Sequence, residues 1–283
     1  MKIPRHWARA RASRVIAGEA MEIVCFGWSF TDAVGAEAKA GERAAQVLDA
    51  IEAGRDRIRA AYLYSDRPVK EEILSEKEFG DIRVLVTRTR YGSLILNADK
   101  AMFIDIDAPD FTSGIGELIK SLFGKRIDRR ALWLETVESR LASLCAEHKL
   151  TIRLYRTAKG LRGLVTNRTF SATDPLAKQI LSAAQSDPLF IRLCKAQECF
   201  RARLTPKPFR CDCPAPPHAW PFADARQEAA HQAWLAKYAS AIQGRDTCAF
   251  VAELGKEKAL PSLAELVKFH DAATRPSGTG ELA

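Results

Sequence analysis

Two aspartates, Asp105 and Asp107, close the apolar run Ala101-Met-Phe-Ile-Asp-Ile-Asp107. Side chains in a strand alternate with period two, so Phe103, Asp105 and Asp107 share one face and Met102, Ile104 and Ile106 the other. The two carboxylates then stand roughly 6.5–7 Å apart along the chain, near enough to converge on one or two cations. Carboxylates within an apolar strand are costly unless something positive offsets them. Mg²⁺ or Mn²⁺, which prefer oxygen ligands, meets that need. A neighbouring arginine meets it too, and a purely structural Arg–Asp network is the alternative reading.

Two basic clusters follow. Arg153-Leu-Tyr-Arg156 and Thr157-Ala-Lys-Gly-Leu-Arg162 place Arg153, Arg156, Lys159 and Arg162 around a tight turn. Thr157 offers a hydroxyl, the turn's N–H groups could cradle a phosphate, and Gly160 would permit close approach to a ligand or a positive φ. The plain alternative is a hairpin with a solvated Lys159. Further on, Arg201-Ala-Arg-Leu-Thr-Pro-Lys-Pro208 puts Arg201 and Arg203 on one strand face and presents Lys207 from a rigid loop. Arginine's planar fork suits phosphate oxygens, and lysine adds a point charge.

The elements that must position these groups are legible in outline. Met21–Trp28, Ile82–Thr87, Ser93–Asn97, Ala101–Asp107, Thr151–Arg156, Leu161–Thr166 and Phe200–Leu204 read as strands. Tyr91-Gly92 reads as a tight turn. Asp32 caps a helix whose inward face carries Ala40, Ala44, Val47, Leu48 and Ile51. Asp128 caps a second, with Leu134, Val137, Leu141, Leu144 and Cys145 on one face. Asp174-Pro175 and Asp187-Pro188 are start signals for two more, and 224–241 reads as another. Ala61–Tyr64 is a short apolar run, and Pro109–Gly124 a loop. The expected class is α+β: a mixed or antiparallel sheet with an RRM-like core, packed helices and a helical C-terminal extension. The expected division is an N-terminal α+β region over 1–100, a core over 101–213 that carries the chemistry, and the helical extension over 214–283.

The composition narrows the function classes. Hydrophobic residues make up 47% of the 283, enough for a real core. No apolar run approaches the ~20 residues that span a bilayer, so no membrane partner is expected. Met1–Ala20 is rich in arginine and lacks the continuous apolar stretch of a secretory signal. It reads as an exposed basic first helix, the alternative being an organellar transit peptide, whose acid-poor composition it shares. Seven cysteines in so long a chain do not suggest a disulfide framework, so a reducing, cytoplasmic setting is expected. Four of them (Cys194, Cys199, Cys211 and Cys213) cluster near His218, but in a spacing foreign to zinc fingers, so zinc is not expected. The net charge of +8 concentrates between Thr151 and Arg210, where twelve Lys/Arg face three acids. Such a field attracts phosphate, whether in nucleic acid or in a nucleoside triphosphate, and a solvated basic surface is the alternative.

Taken together, the hydrophobic-Asp-hydrophobic-Asp strand, the strand–turn–strand with its Thr-x-x-Gly-x-Arg turn, a downstream acid and an Arg-x-x-x-Lys segment resemble the archaeo-eukaryotic primase superfamily, which includes primase-polymerases. The resemblance covers about Phe103 to Lys207. It implies that Asp105 and Asp107 are metal ligands, that Asp187 is the third acid by order along the chain, that Thr157, Gly160 and Arg162 stand at the second motif, and that Arg203 and Lys207 fall in the basic loop after it; Arg156, Lys159 and Arg201, from the basic clusters, join them as candidates to bind nucleotide phosphates. It implies a metal-dependent nucleotidyltransferase, or a non-catalytic nucleotide- or nucleic-acid-binding protein on a degenerate version of that scaffold. Arg162 stands where the family has a histidine. It can hold phosphate but does not titrate near neutral pH.

Overall fold

The computed structural model describes residues 1–54, 68–111, 128–275 and 278–283. Among these the chain is α+β, with six α-helices and twelve strands. The strands are β1 (His6–Ile16), β2 (Glu19–Ser29), β3 (Glu72–Phe79), β4 (Ile82–Arg88), β5 (Leu94–Ala98), β6 (Phe103–Asp107), β7 (Ile152–Thr157), β8 (Gly160–Val165), β9 (Phe200–Arg203), β10 (Arg245–Asp246), β11 (Cys248–Leu254) and β12 (Glu281–Leu282). The helices are α1 (Ala33–Glu52), α2 (Arg129–His148), α3 (Pro175–Ala183), α4 (Pro188–Gln197), α5 (Ala225–Ala241) and α6 (Pro261–Thr274). Two four-stranded sheets run in the orders β11-β7-β8-β6 and β3-β4-β5-β9, beside the pairs β1-β2 and β10-β12. No helix among the described residues is long and apolar enough to cross a membrane. The expected run Ala61–Tyr64 and most of the expected loop Pro109–Gly124 lie outside the described residues.

The chain divides into two compact units, and each draws on several segments. The first comprises Met1–Glu76, Leu85–Ile95 and Lys207–Ile242; the second comprises Lys77–Val84, Leu96–Pro206 and Gln243–Ala283. This interleaving differs from the three consecutive blocks expected. The C-terminal stretch is not simply helical either, because β11 pairs antiparallel with β7 as an edge strand of the β6 sheet.

In the first unit, the basic N-terminus is a strand rather than a helix. β1 and β2 pair antiparallel through a two-residue turn, Ala17-Gly18, both at positive φ, as tight hairpins require. The period-two alternation decides this: Arg9 and Arg11 are exposed, while Ala8, Ala10 and Ala12 are half-buried and α1 packs on the hairpin. Gly27 lets the helix lie directly on β2, since a Cβ there would meet the Ala36 carbonyl oxygen at 2.3 Å. Asp32 caps α1, accepting from the Gly35 N–H at 2.6 Å.

In the second unit, the sheet β11-β7-β8-β6 is antiparallel throughout. One face is apolar, with Ile104, Ile106, Leu161, Leu154 and Ile152 fully buried or nearly so. The other face carries Phe103, Asp105 and Asp107 opposite Leu164, Arg162 and Gly160, and then Arg153, Tyr155 and Thr157 on β7. Asp128 caps α2 through the Arg130 and Ala131 N–H groups. Asp174 and Asp187 cap α3 and α4, each with proline at the start.

Candidate functional site

Exposure rises along one face of β6. Phe103 is fully buried, Asp105 half-buried and Asp107 exposed, so the carboxylates stand where the dry interior gives way to solvent. Across the ladder, Asp105 pairs with Arg162 and Asp107 with Gly160. The far edge of β6 is held by the loop ahead of α4. The Asp105 N–H donates to Ser186 Oγ at 3.1 Å, Ser186 Oγ–H donates back to the Asp105 carbonyl at 2.8 Å, and the Asp187 N–H donates to that same carbonyl at 2.8 Å. Those bonds bring Asp187 beside Asp105 although many residues separate them in the chain. β9 packs next to β6 and contributes Arg203.

Asp105 therefore stands among two carboxylates and two guanidiniums. Burial pushes its carboxyl pKa up, and the Asp107 and Asp187 charges push the same way, while Arg162 and Arg203 pull it down. The net shift is upward, burial being its largest cause. Asp187 has a second duty. Its Oδ1 accepts from the Leu189 N–H at 2.9 Å and its Oδ2 from the Phe190 N–H at 3.3 Å, which caps α4.

Arg162 is turned inward and only 6% exposed. Its Nη1 donates to the Arg203 carbonyl at 2.8 Å and faces His270 Nε2 at 3.2 Å. A guanidinium has only donors, so Nε2 must accept. The proton is then on Nδ1, which donates to Asp271 Oδ1 at 3.1 Å. Tyr155 donates to the same oxygen at 2.7 Å, and Arg153 reaches Asp271 Oδ2 at 2.8 Å. Burial, aided by the Arg162 charge and outweighing the Asp271 hydrogen bond, brings the fully buried His270 down to about 4, so it is neutral at pH 7. Burial alone would raise Asp271, but hydrogen bonds from His270 and Tyr155 and the Arg153 charge bring it below the usual range. Sequence reasoning missed His270 and Asp271. The signal available was the inward stripe Leu263, Leu266, His270, Thr274 on α6, at spacings of three, four and four.

The other expected residues fall as follows. Gly160 has no positive φ; its hydrogen is required because a Cβ would meet the Ile106 carbonyl oxygen at 2.0 Å. It serves the approach of β8 to β6 rather than that of a ligand. The turn Ala158-Lys159 is pinned to the end of β6 by Ala108 N–H donating to the Lys159 carbonyl at 2.9 Å. Lys159 is exposed and Thr157 half-buried beside Asp107's strand partner. Arg156 is exposed on the opposite sheet face. Arg201 donates to Gln197 Oε1 at 2.8 Å. Lys207 belongs to the first unit, where its ammonium lies 5.8 Å from the Phe209 ring centroid. Cys194 and Cys199 are buried in the second unit and Cys211 and Cys213 in the first; burial pushes the Cys194 thiol up to about 12.

A divalent cation fits the donor set in one form. Among the described residues no group of three or more His, Cys, Asp or Glu side chains is arranged as a protein-only metal cage. Mg²⁺, however, is commonly held by one or two carboxylates and completes its shell with water and phosphate oxygens. Asp105 and Asp107, at a solvent-facing strand end, offer that. Comparisons with protein families, with characterised proteins and with solved structures find no match to this chain.

Proposed function

We propose that this chain binds nucleotide or nucleic-acid phosphate on a primase-like scaffold, with Asp105 and Asp107 as ligands for Mg²⁺ or Mn²⁺. One observation carries the reading. Asp107 on β6, Arg162 on β8, Asp187 ahead of α4 and Arg203 on β9 all act electrostatically on the one half-buried carboxyl of Asp105. The strand order supports the RRM-like part. β6, α2, β7, β8, the pair α3–α4 and β9 follow one another as strand, helix, strand, strand, helix, strand, with β8 between β6 and β7, although β9 pairs with β5 in the other sheet and only packs near β6. A bound cation would supply positive charge to phosphate oxygens. Arg162 holds the far side of the site through Arg203 and His270, and Arg203, half-buried, is the guanidinium nearer the surface. Seven free cysteines agree with a cytoplasmic setting.

A second reading, metal-dependent nucleotidyl transfer, is favoured by the Asp187 charge reaching Asp105. The first is preferred because both Asp187 oxygens accept cap amides and the Arg162 guanidinium is engaged with the Arg203 carbonyl and His270.

Fluorescence anisotropy with a labelled single-stranded oligonucleotide and with a labelled nucleoside triphosphate tests the proposal. Affinity should rise with Mn²⁺ in the wild type, fall with salt, and lose the Mn²⁺ dependence in Asp105→Asn/Asp107→Asn. Affinity indifferent to Mn²⁺ and to both substitutions overturns it. Template-directed primer synthesis by the wild type, abolished in Asp105→Asn, would promote the second reading.

A further inference from the structure

The first unit contains a hollow whose lining includes Lys70, Glu72, Arg88, Thr89, Arg90 and His231. It measures about 230 Å³ including the part open to solvent, but only about 10 Å³ admits the centre of a water-sized body. Such a site takes one compact group at its mouth.

Six buried side-chain polar atoms among the described residues have no hydrogen-bond partner, and three of them line this hollow: Arg88 Nε, Thr89 Oγ1 and His231 Nε2. Orphaned buried polar atoms are costly, and three in the lining of one hollow point to a missing hydrogen-bonding group. Arg88 Nε lies 3.5 Å from Glu72 Oε2, an ion pair without hydrogen-bond geometry. His231, only 3% exposed, holds the His218 carbonyl with Nδ1 at 3.0 Å. The carbonyl can only accept, so Nδ1 carries the proton and Nε2 is left towards the hollow.

The charge balance identifies the group. Lys70, Arg88 and Arg90 supply three positive charges and Glu72 one negative, a surplus of two. A phosphate monoester carries about −1.5 to −2 at pH 7 and several strong acceptor oxygens, whereas a diester or a carboxylate carries one charge. We infer that this hollow is a phosphate-monoester site, with Lys70, Arg88 and Thr89 as donors to the oxygens of the dianion and His231 Nε2 accepting from a water that donates its other proton to the phosphate. Lys70 already pays for its position: its ammonium lies 3.5 Å from the Phe26 ring centroid, and burial, with Arg90 and Arg9 adding to it, brings it down to about 8. A dianion would restore that lost stability. The groups facing Lys70 are Arg9, Arg90, Arg88, Glu72 and His231, and Arg90 also bonds the Tyr91 hydroxyl.

Titration calorimetry on the full chain, carrying Asp105→Asn/Asp107→Asn so that the other site is silent, would use four probes: inorganic phosphate, a nucleoside monophosphate, and a single-stranded oligonucleotide with and without a terminal phosphate. Lys70→Gln/Arg90→Gln should weaken binding at least tenfold. In the parent, affinity should fall as pH rises from 7 to 9, because free Lys70 loses its proton near 8, and that fall should vanish in Lys70→Gln. Loss confined to phosphate and the monophosphate assigns the site to free esters; loss confined to the terminally phosphorylated oligonucleotide assigns it to strand ends. Affinity changed by less than twofold, or an equal loss for the oligonucleotide without a terminal phosphate, overturns the inference. Thermal melting verifies folding, and the exposed Arg90→Gln alone should still weaken binding measurably if the double variant does not fold.

Discussion

Arg162 in the second unit and Arg88 in the first are both guanidiniums withdrawn from solvent, and their surroundings differ in kind. Arg162 has a backbone carbonyl and a neutral imidazole as acceptors, and behind that imidazole stand Asp271, Tyr155 and Arg153 in an unbroken hydrogen-bonded chain. Arg88 has a loose carboxylate, an idle threonine hydroxyl and an idle histidine nitrogen as neighbours. A buried cation with its acceptors supplied by the chain positions other groups; one whose acceptors are missing is prepared for a ligand. The lesson for the acidic edge is that Arg162 acts as scaffold, while Asp105 and Asp107 are the groups proposed to meet an incoming ion.

Breaking the satisfied network should have the largest effect. Arg162→Met leaves the Arg203 carbonyl and His270 Nε2 without their donor and Asp105 without the cation that acts on it most strongly, so chemical unfolding should show a loss of about 3–5 kcal/mol. Lys70→Gln, from the unsatisfied cluster, should leave stability unchanged or slightly raise it, since burial already disfavours its charge. If the two variants lose the same stability, the contrast fails.

Acid should sharpen the same contrast. His270 binds its proton about 4 in the fold and near 6.5 unfolded. Between those values the unfolded chain holds more protons than the folded one, so stability is full above about pH 6.5 and declines as pH falls towards 4, by about 3 kcal/mol. His270→Gln should flatten that part of the pH–stability curve; an unchanged slope would show that His270 is not the group responsible.

Smaller effects separate scaffold from site within the acidic edge. Asp187→Ala removes the α4 cap and should cost about 0.5–2 kcal/mol; if its role is the cap alone, Asp187→Ser restores stability and Mn²⁺-dependent binding together. Asp105→Asn should do the reverse of a structural lesion, raising the melting temperature slightly, because the raised carboxyl pKa means that ionisation is disfavoured in the fold. A clear drop in melting temperature would mark Asp105 as a structural partner of Arg162.

What the sequence disclosed follows from how local each signal is. The alternation around Asp105 and Asp107, the Asp-Pro helix starts and the Thr157–Gly160 hairpin depend on residues adjacent in the chain, and each was readable. The seating of Asp187 beside Asp105 depends on Ser186 straddling an edge strand, and no local pattern encodes that. β3 was missed because Ser75-Glu-Lys-Glu78 carries polar groups on both faces. β1 hid within a run of arginines that invites a helical reading until the Arg-Ala alternation is counted. His270 and Asp271 carry no motif, and their importance comes from where α6 presses on the sheet, with the His270 ring 4.9 Å from that of Tyr155. The hollow in the first unit gathers Lys70, Arg88 and His231 from three separate segments, so composition alone could not have assembled it.

The central claim is most directly tested by titrating Mn²⁺ into the protein and counting bound ions by electron paramagnetic resonance, in the presence and absence of a nucleoside triphosphate. The account predicts weak binding to the protein alone, strong binding with the triphosphate present, and loss of both in Asp105→Asn/Asp107→Asn with the fold intact. Undiminished binding in that double variant would place the ion elsewhere and contradict the account.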